Sequence, residues 1–412
     1  MADPELRVLA NGLTIAYLPD AAAPLVSTTL WYRAGSAHES SAEIGIAHFL
    51  EHMMFKGSAG FAAGEIDQLT LSVGGSNNAY TSHDGTVYVF NLPRDDWHLP
   101  LEIEADRMAG LALVPEEVDA ERAVIEEEIA EADDDPWDAL SMRVLETFYD
   151  GHPYGRRILG SRGSLGRIGR AELERFHAAS YAPGQAVLTI AGAVGPEALD
   201  QAAEIFDAIS RPSGVADLEA PRAPSSLSRV EVALGETRRG LLAMPSPAAA
   251  TAEFVHLRMA LTALAGGRAS PLQTRLVDDG QLCQSVSSEL TESVLPGVAT
   301  LAVEVIPGVD PERVEEALFE ELARLRREGI DSAAVERSRR LLVSDWLFSH
   351  ETIEARGATV GAGLALFGSE SGSGYAQRQY QEMVNATGEQ IEAAARRFLD
   401  PDSGAVLGWA GR

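Results

Sequence analysis

Residues Gly85–Pro93 read GTVYVFNLP, and residues Gly297–Pro307 read GVATLAVEVIP. Each is a run of β-branched and aromatic residues closed by a proline, the pattern of a strand. Each is followed by a helical stretch and then by a second one. In the first half that second stretch is VPEEVDAERAVIEEE, ending at Glu128; in the second half PERVEEALFEELARL leads to IDSAAVERSRRLLVSD. Pro93 and Pro307 lie 214 positions apart, and Glu121-Arg122 and Glu336-Arg337 lie 215 apart. Two landmarks at nearly one offset predict a duplicated unit of about 200 residues.

Working outward, the segment from Arg211 to Ser228, RPSGVADLEAPRAPSSLS, is rich in Pro and Ser and lacks hydrophobic periodicity. It reads as a linker. The expected organisation is an N-terminal domain over 1–212, a linker over 213–228 and a C-terminal domain over 229–412. Leu13–Leu18, Val26–Tyr32 and Val187–Ala191 read as strands. Trp97–Leu113 and Val118–Glu131 read as helices, with Pro115 in the turn before the second, and another helix follows Pro196. Hairpin-like strands mixed with runs of helices predict an α+β chain of two duplicated α/β domains.

The 412 residues hold 33 Lys+Arg against 62 Asp+Glu, a formal charge of -29. A chain this acidic repels a phosphate backbone, which argues against nucleic acid as a partner. An anionic membrane surface is disfavoured for the same reason. No stretch approaches the roughly 18 apolar residues that span a bilayer. The N-terminus has no basic region followed by an apolar core, so the chain as given reads as cytoplasmic. A periplasmic origin stays open for a chain whose leader has been removed. The single Cys283 can form neither an internal disulfide nor a cysteine zinc site, and it reads as a small buried hydrophobe.

The segment that carries chemistry is Ile44–Lys56, IGIAHFLEHMMFK. Ser40 and Glu43 have the spacing of a capping box that would start a helix here. On a helix His48 and His52 stand at i and i+4, on one face. Two imidazoles so placed can share one Zn²⁺. Glu51, one residue before His52, sits near the ligands and can act as a general base toward a water that the metal polarises. A catalytic zinc needs a third protein ligand. The acidic helix from Glu116 to Asp135 offers several carboxylates; Glu121 and Glu128, seven apart, share a face. Periodicity alone leaves Glu127, Glu128 and Glu131 open. Asn78–Thr81 followed by Gly85 and a second strand reads as a hairpin. His83 reads as a solvated loop histidine.

The segment GIAHFLEHMMFKGS resembles the zinc helix of the pitrilysin/insulinase-type metallopeptidases, whose short members are similar to the subunits of the mitochondrial processing peptidase. The likeness continues through GGSNNAYTSHDGTVYVF, ERAVIEEEI and GHPYGRRILGS, covering most of residues 5–210 and, more loosely, the rest. The resemblance implies that Glu128 is the third zinc ligand beside His48 and His52, with one Zn²⁺ per chain. It implies that Glu121 supports the site from behind the ligands. It gives Asn78, Ala79, Tyr80 and Thr81 the role of an exposed edge strand, to which a peptide adds as a further strand, with the Asn78 amide holding the substrate backbone.

At the 215 offset Glu128 falls on Val343, and no His-x-x-Glu-His follows the linker, so the second half is expected to lack a zinc site. Active relatives of this family carry in that half an Arg followed seven residues later by a Tyr, which stabilise the substrate oxyanion. Aligned on SPLQTRLVDDGQLCQSVSSE, those positions hold Val277 and Gln284; Arg275 can slip into the first, but no tyrosine occurs between Tyr181 and Tyr375. The resemblance therefore implies a zinc metalloendopeptidase subunit acting on short or unfolded peptides in a closed chamber. It further implies a heterodimer with a paralogous subunit that supplies Arg and Tyr, rather than a homodimer. The alternatives are a non-catalytic core-type subunit of the same fold and a maturase dedicated to one peptide precursor.

Overall fold

The computed structural model describes residues 4–210 and 216–412. The first part of the expected linker, residues 211–215, lies outside them, and residues 216–226 form no helix or strand. Chain order begins with β1 Glu5–Val8, β2 Thr14–Pro19, β3 Leu25–Tyr32, α1 Ile46–Met53, α2 Glu65–Ser72, β4 Ser76–Thr81 and β5 Thr86–Pro93. There follow α3 Leu99–Ala109, α4 Pro115–Asp134, α5 Pro136–Tyr149, α6 Arg162–Leu165, α7 Arg170–Ser180, β6 Ala186–Gly192 and α8 Glu197–Phe206. The second half has β7 Leu227–Val232, β8 Arg239–Ser246, α9 Ala252–Ala265, β9 Cys283–Leu290 and β10 Gly297–Val305. It ends with α10 Pro311–Glu328, α11 Ser332–Ser349, α12 Ile353–Gly372, α13 Tyr375–Asn385, α14 Gly388–Phe398 and β11 Ala405–Ala410. The expected strands and helices are present, with two shifts: the helix expected over Trp97–Leu113 runs only from Leu99 to Ala109, ending at Gly110, and Pro115 opens α4 rather than preceding it. A proline is tolerated at the first helical position, where its missing N–H would be unpaired anyway.

The chain divides into two compact units. The first is Met1–Ile129, Arg157–Leu218 and Ser349–Gln377; the second is Ala130–Arg156, Glu219–Phe348 and Arg378–Arg412. In the first unit the sheet order is β1-β2-β6-β3-β5-β4. Its β2–β6 pair is parallel and its other pairs are antiparallel. Side chains alternate across such a sheet. Leu30, Tyr32, Tyr88 and Leu188 face one core together with Phe49, Leu50 and Met53 of α1 and Ile125 of α4. Trp31, Val87 and Val187 face the other side, against Val360 and Leu364 of α12. A Cβ on Gly361 would stand 2.7 Å from the Trp31 ring, so α12 needs a glycine there to approach the sheet.

In the second unit the order is β7-β11-β8-β10-β9, with β7–β11 parallel and the other pairs antiparallel. Matched as β2 with β7, β6 with β11, β3 with β8, β5 with β10 and β4 with β9, the two sheets have the same order and the same strand senses. The duplication expected from the Pro93/Pro307 offset is real, with β1 as an addition to the first copy. One feature is not visible in that offset. Helix α5, from the first half of the chain, packs on β11, β8 and β7 of the second unit, and α12, from the second half, packs on β3, β6 and β2 of the first. Each sheet is thus covered on one face by a helix from the other half. Among the described residues no helix is long and apolar enough to cross a membrane.

Candidate metal centre

Helix α1 does not begin where the capping-box spacing placed it. Ser40 Oγ donates to Glu43 Oε2 at 2.8 Å, side chain to side chain, and the helix starts at Ile46 after Gly45. Gly45 takes φ 98°, in the left-handed region that favours glycine, and a Cβ there would also stand 2.9 Å from the Leu159 carbonyl. The free N–H groups of this helix start are met by Glu39, whose carboxylate accepts from Gly45 and Ala47 at 2.9 Å each. Glu39 precedes the helix by more residues than a capping box spans, which is why the local pattern missed it.

From that anchored start, α1 directs Phe49, Leu50 and Met53 into the core and carries His48 and His52 on another face, ring centroids 4.5 Å apart. Ile125 and Ile129 bury one face of α4, and this brings Glu128 over the two imidazoles. Glu128 lies 3.8 Å from Nε2 of both His48 and His52. One donor atom from each of His48, His52 and Glu128 falls within 4.8 Å of the others. Among the described residues no other His, Cys, Asp or Glu group is so placed, and neither Glu127 nor Glu131 joins this one. Tetrahedral donors at zinc distances of about 2.0–2.1 Å stand about 3.4 Å from one another. The two His–Glu128 distances exceed that by a few tenths of an ångström, and the three donors together lie within 4.8 Å, wider than a closed zinc site.

The chemistry of the donors fits zinc. His52 Nδ1 lies 2.8 Å from Glu121 Oε1. A carboxylate can only accept, so Nδ1 carries the proton and Nε2 presents its lone pair to the metal position. Glu121 Oε2 is held by Lys56 Nζ at 2.7 Å. Burial works to raise the Glu121 carboxyl, but the hydrogen bonds from Lys56 and His52 hold it below its ordinary value. Both Glu121 oxygens are thus engaged, and Glu121 is not among the three converging donors. Burial, with the neighbouring His52, lowers the His48 pKa to about 4, so this imidazole is neutral near pH 7 and available as a donor.

Glu51, on the same helix as His48 and His52, is 8% exposed. Its Oε2 accepts a 2.6 Å hydrogen bond from the Thr81 hydroxyl. Burial raises its carboxyl above the ordinary value, with Thr81 and His52 pulling it back. Asn78, Ala79, Tyr80 and Thr81 lie on β4, the edge of the sheet. Asn78 and Tyr80 are exposed, while Ala79 packs against the core. Asn78 Oδ1 accepts from the Ala79 N–H at 2.9 Å. Tyr80 stands edge-on to Trp31, centroids 5.8 Å apart. His83, expected to be a solvated loop residue, is instead half-buried, its Nδ1 2.8 Å from the buried Ser36 hydroxyl. Cys283 is buried, and burial raises its thiol to about 12, as suits a packing residue.

Two family models match the chain: insulinase (peptidase family M16) over residues 14–162, and the peptidase M16 inactive domain over residues 167–342. A protein of Mycobacterium leprae described as an uncharacterized zinc protease is 30% identical over 390 residues, 92% of this chain and 86% of the relative. The chain belongs to the insulinase family of peptidases. The fold of this insulinase-family chain is similar to that of a protease from Helicobacter pylori, with a TM-score of 0.92 at 22% identity over all of both chains. It is also similar to a Pseudomonas fluorescens structure described as a peptidase M16 inactive domain, with a TM-score of 0.90 at 19% identity over 100% of this chain and 98% of that one. The metal trio, Glu51 and Glu121 all lie within the first matched segment.

Proposed function

We propose that this chain is a zinc metalloendopeptidase subunit that hydrolyses short or unfolded peptides. The observation that carries the reading is the convergence of His48, His52 and Glu128 within 4.8 Å, two imidazoles and a carboxylate. Zinc bound there supplies Lewis-acid polarisation of a water and of the scissile carbonyl. Glu51 would act as general base toward the attacking water and general acid toward the leaving amine, moving the proton at Oε1, the oxygen not engaged by Thr81. The peptide lies extended against the free edge of β4, so that Asn78, Ala79, Tyr80 and Thr81 contribute through backbone and position. Glu121 fixes the His52 ring. Its replacement by Ala is expected to weaken zinc binding about 10–100-fold, measured by competition with a chelator of known affinity. Unchanged affinity would remove Glu121 from the site.

The second half supports a partner-dependent enzyme. Val277 packs against the core of the second unit, and Gln284 is exposed on β9. Arg275, which could slip into the Arg position, is engaged by Glu320 and Glu321 of α10. The two aligned positions thus hold neither the Arg nor the Tyr. A paralogous subunit of similar length would supply that pair and enclose the chamber. The zinc-loaded chain alone is therefore expected to cleave a fluorogenic peptide at least about 100-fold more slowly than the reconstituted pair. Full activity of the chain alone, at one zinc per chain, would overturn the pairing. The non-catalytic reading is disfavoured because His48, Glu51, His52 and Glu128 are all intact.

A further inference from the structure

Thr81 is the last residue of β4, and its side chain lies on the same face as those of Asn77, which meets Asp67 of α2, and Ala79, which packs in the core with α1. A strand places every second side chain on one face, so position 81 meets Glu51 of the zinc helix. Its hydroxyl has one proton and two oxygen neighbours: Glu51 Oε2 at 2.6 Å and Thr86 Oγ1 at 3.3 Å. The Thr86 hydroxyl, fully buried, donates to the Ala34 carbonyl at 3.0 Å, an atom that can only accept. With its own proton on Ala34, Thr86 can only accept from Thr81, as Glu51 can; the shorter contact to the charged acceptor, 2.6 Å against 3.3 Å, places the Thr81 proton on Glu51, at the length typical of a hydroxyl donating to a carboxylate. That bond occupies Oε2 and leaves Oε1 as the oxygen free to take a proton.

We infer that Thr81 is a positioning residue for Glu51: its hydroxyl holds the carboxylate with one chosen oxygen toward the metal position. Because the same residue ends the edge strand proposed to receive the peptide, the base is tied to the element that sets the substrate's height over the metal. The inference rests on the peptidase reading for its kinetic consequence, but not for its geometric one. Valine at this position keeps the branched shape and removes the donor; serine keeps the donor and removes a methyl group.

The test compares wild type, T81V and T81S as full-length, zinc-loaded chains, each with the paralogous subunit proposed above. A charge-assisted hydrogen bond of this kind predicts a kcat about 10–100-fold lower in T81V, with KM within about twofold. T81S should stay within about threefold of wild type in kcat, since the donor remains. Zinc content and melting temperature should be alike in all three, separating positioning from misfolding. Crystal structures should show Glu51 turned away in T81V and in place in T81S. Wild-type kcat in T81V, an equal loss in both variants, or an unmoved Glu51 in T81V would each overturn the inference. If wild type itself cleaved no peptide, the peptidase reading would fail, and the position of Glu51 in the T81V crystal would alone decide the role of Thr81.

Discussion

Glu51→Gln is expected to lower kcat by about 10²–10⁴-fold, the range for loss of a positioned general base, while zinc stays at one per chain. Glutamine has nearly the volume of glutamate, and its amide oxygen can still accept from Thr81, so the 2.6 Å contact to the strand end survives. What disappears is basicity. The metal trio is untouched, because Glu51 is not among the three donors that converge. Metal analysis and peptide cleavage on the same preparation therefore separate two roles that His48→Ala would abolish together. A Glu51→Gln chain that cleaved at the wild-type rate would remove Glu51 from the mechanism. The same pair of measurements separates an enzyme from a scaffold of the same fold, because a scaffold would show no cleavage to lose.

What the sequence made legible follows the range of the interactions involved. His48 and His52 are four residues apart on one helix, so their convergence is a local property that spacing alone predicts. Glu128 is 76 residues beyond His52. Nothing in helical periodicity distinguishes it from Glu127 or Glu131; the choice came from resemblance, and the packing of Ile125 and Ile129 is what brings it over the imidazoles. The anchor of α1 at Glu39 escaped notice because it belongs to no short capping pattern. The exchange of α5 and α12 was illegible for another reason. An amphipathic or glycine-rich helix announces that it has a face to bury, but not which sheet will cover it. Gly361 against Trp31, and Gly408 of β11, where a Cβ would stand 2.3 Å from Val144 of α5, record the fit only once both partners are in place.

The second large effect concerns stability. Glu104 and Arg107 of α3 are both 0% exposed and form a two-pronged pair, Nε to Oε2 at 2.9 Å and Nη2 to Oε1 at 2.6 Å. The guanidinium also lies over the Phe55, Tyr88 and Phe90 rings at 5.0, 4.3 and 5.5 Å. Burial raises the Glu104 carboxyl above its ordinary value even with the Arg107 charge pulling it down. For Arg107 the balance is the reverse: against burial, the Glu104 charge and hydrogen bonds hold the guanidinium above its ordinary value, and a buried pair of this kind is weak evidence for stability. Breaking it is another matter. Glu104→Ala leaves an uncompensated guanidinium in a dry core and is expected to destabilise the first unit by about 3–5 kcal/mol. Urea denaturation followed by tryptophan fluorescence should show the loss as a lower midpoint for one transition. The double variant Glu104→Leu/Arg107→Met removes both charges while keeping apolar volume, and it should recover most of that loss. If the single and double variants were equally unstable, the cost would lie in packing and not in the stranded charge. The distinction bears on the candidate site, because the Phe55 and Tyr88 rings under the guanidinium also pack in the core that holds Phe49, Leu50 and Met53 of α1. A stranded Arg107 would loosen the support under His52 and Glu51, so Glu104→Ala should also reduce zinc affinity, and the double variant should restore it.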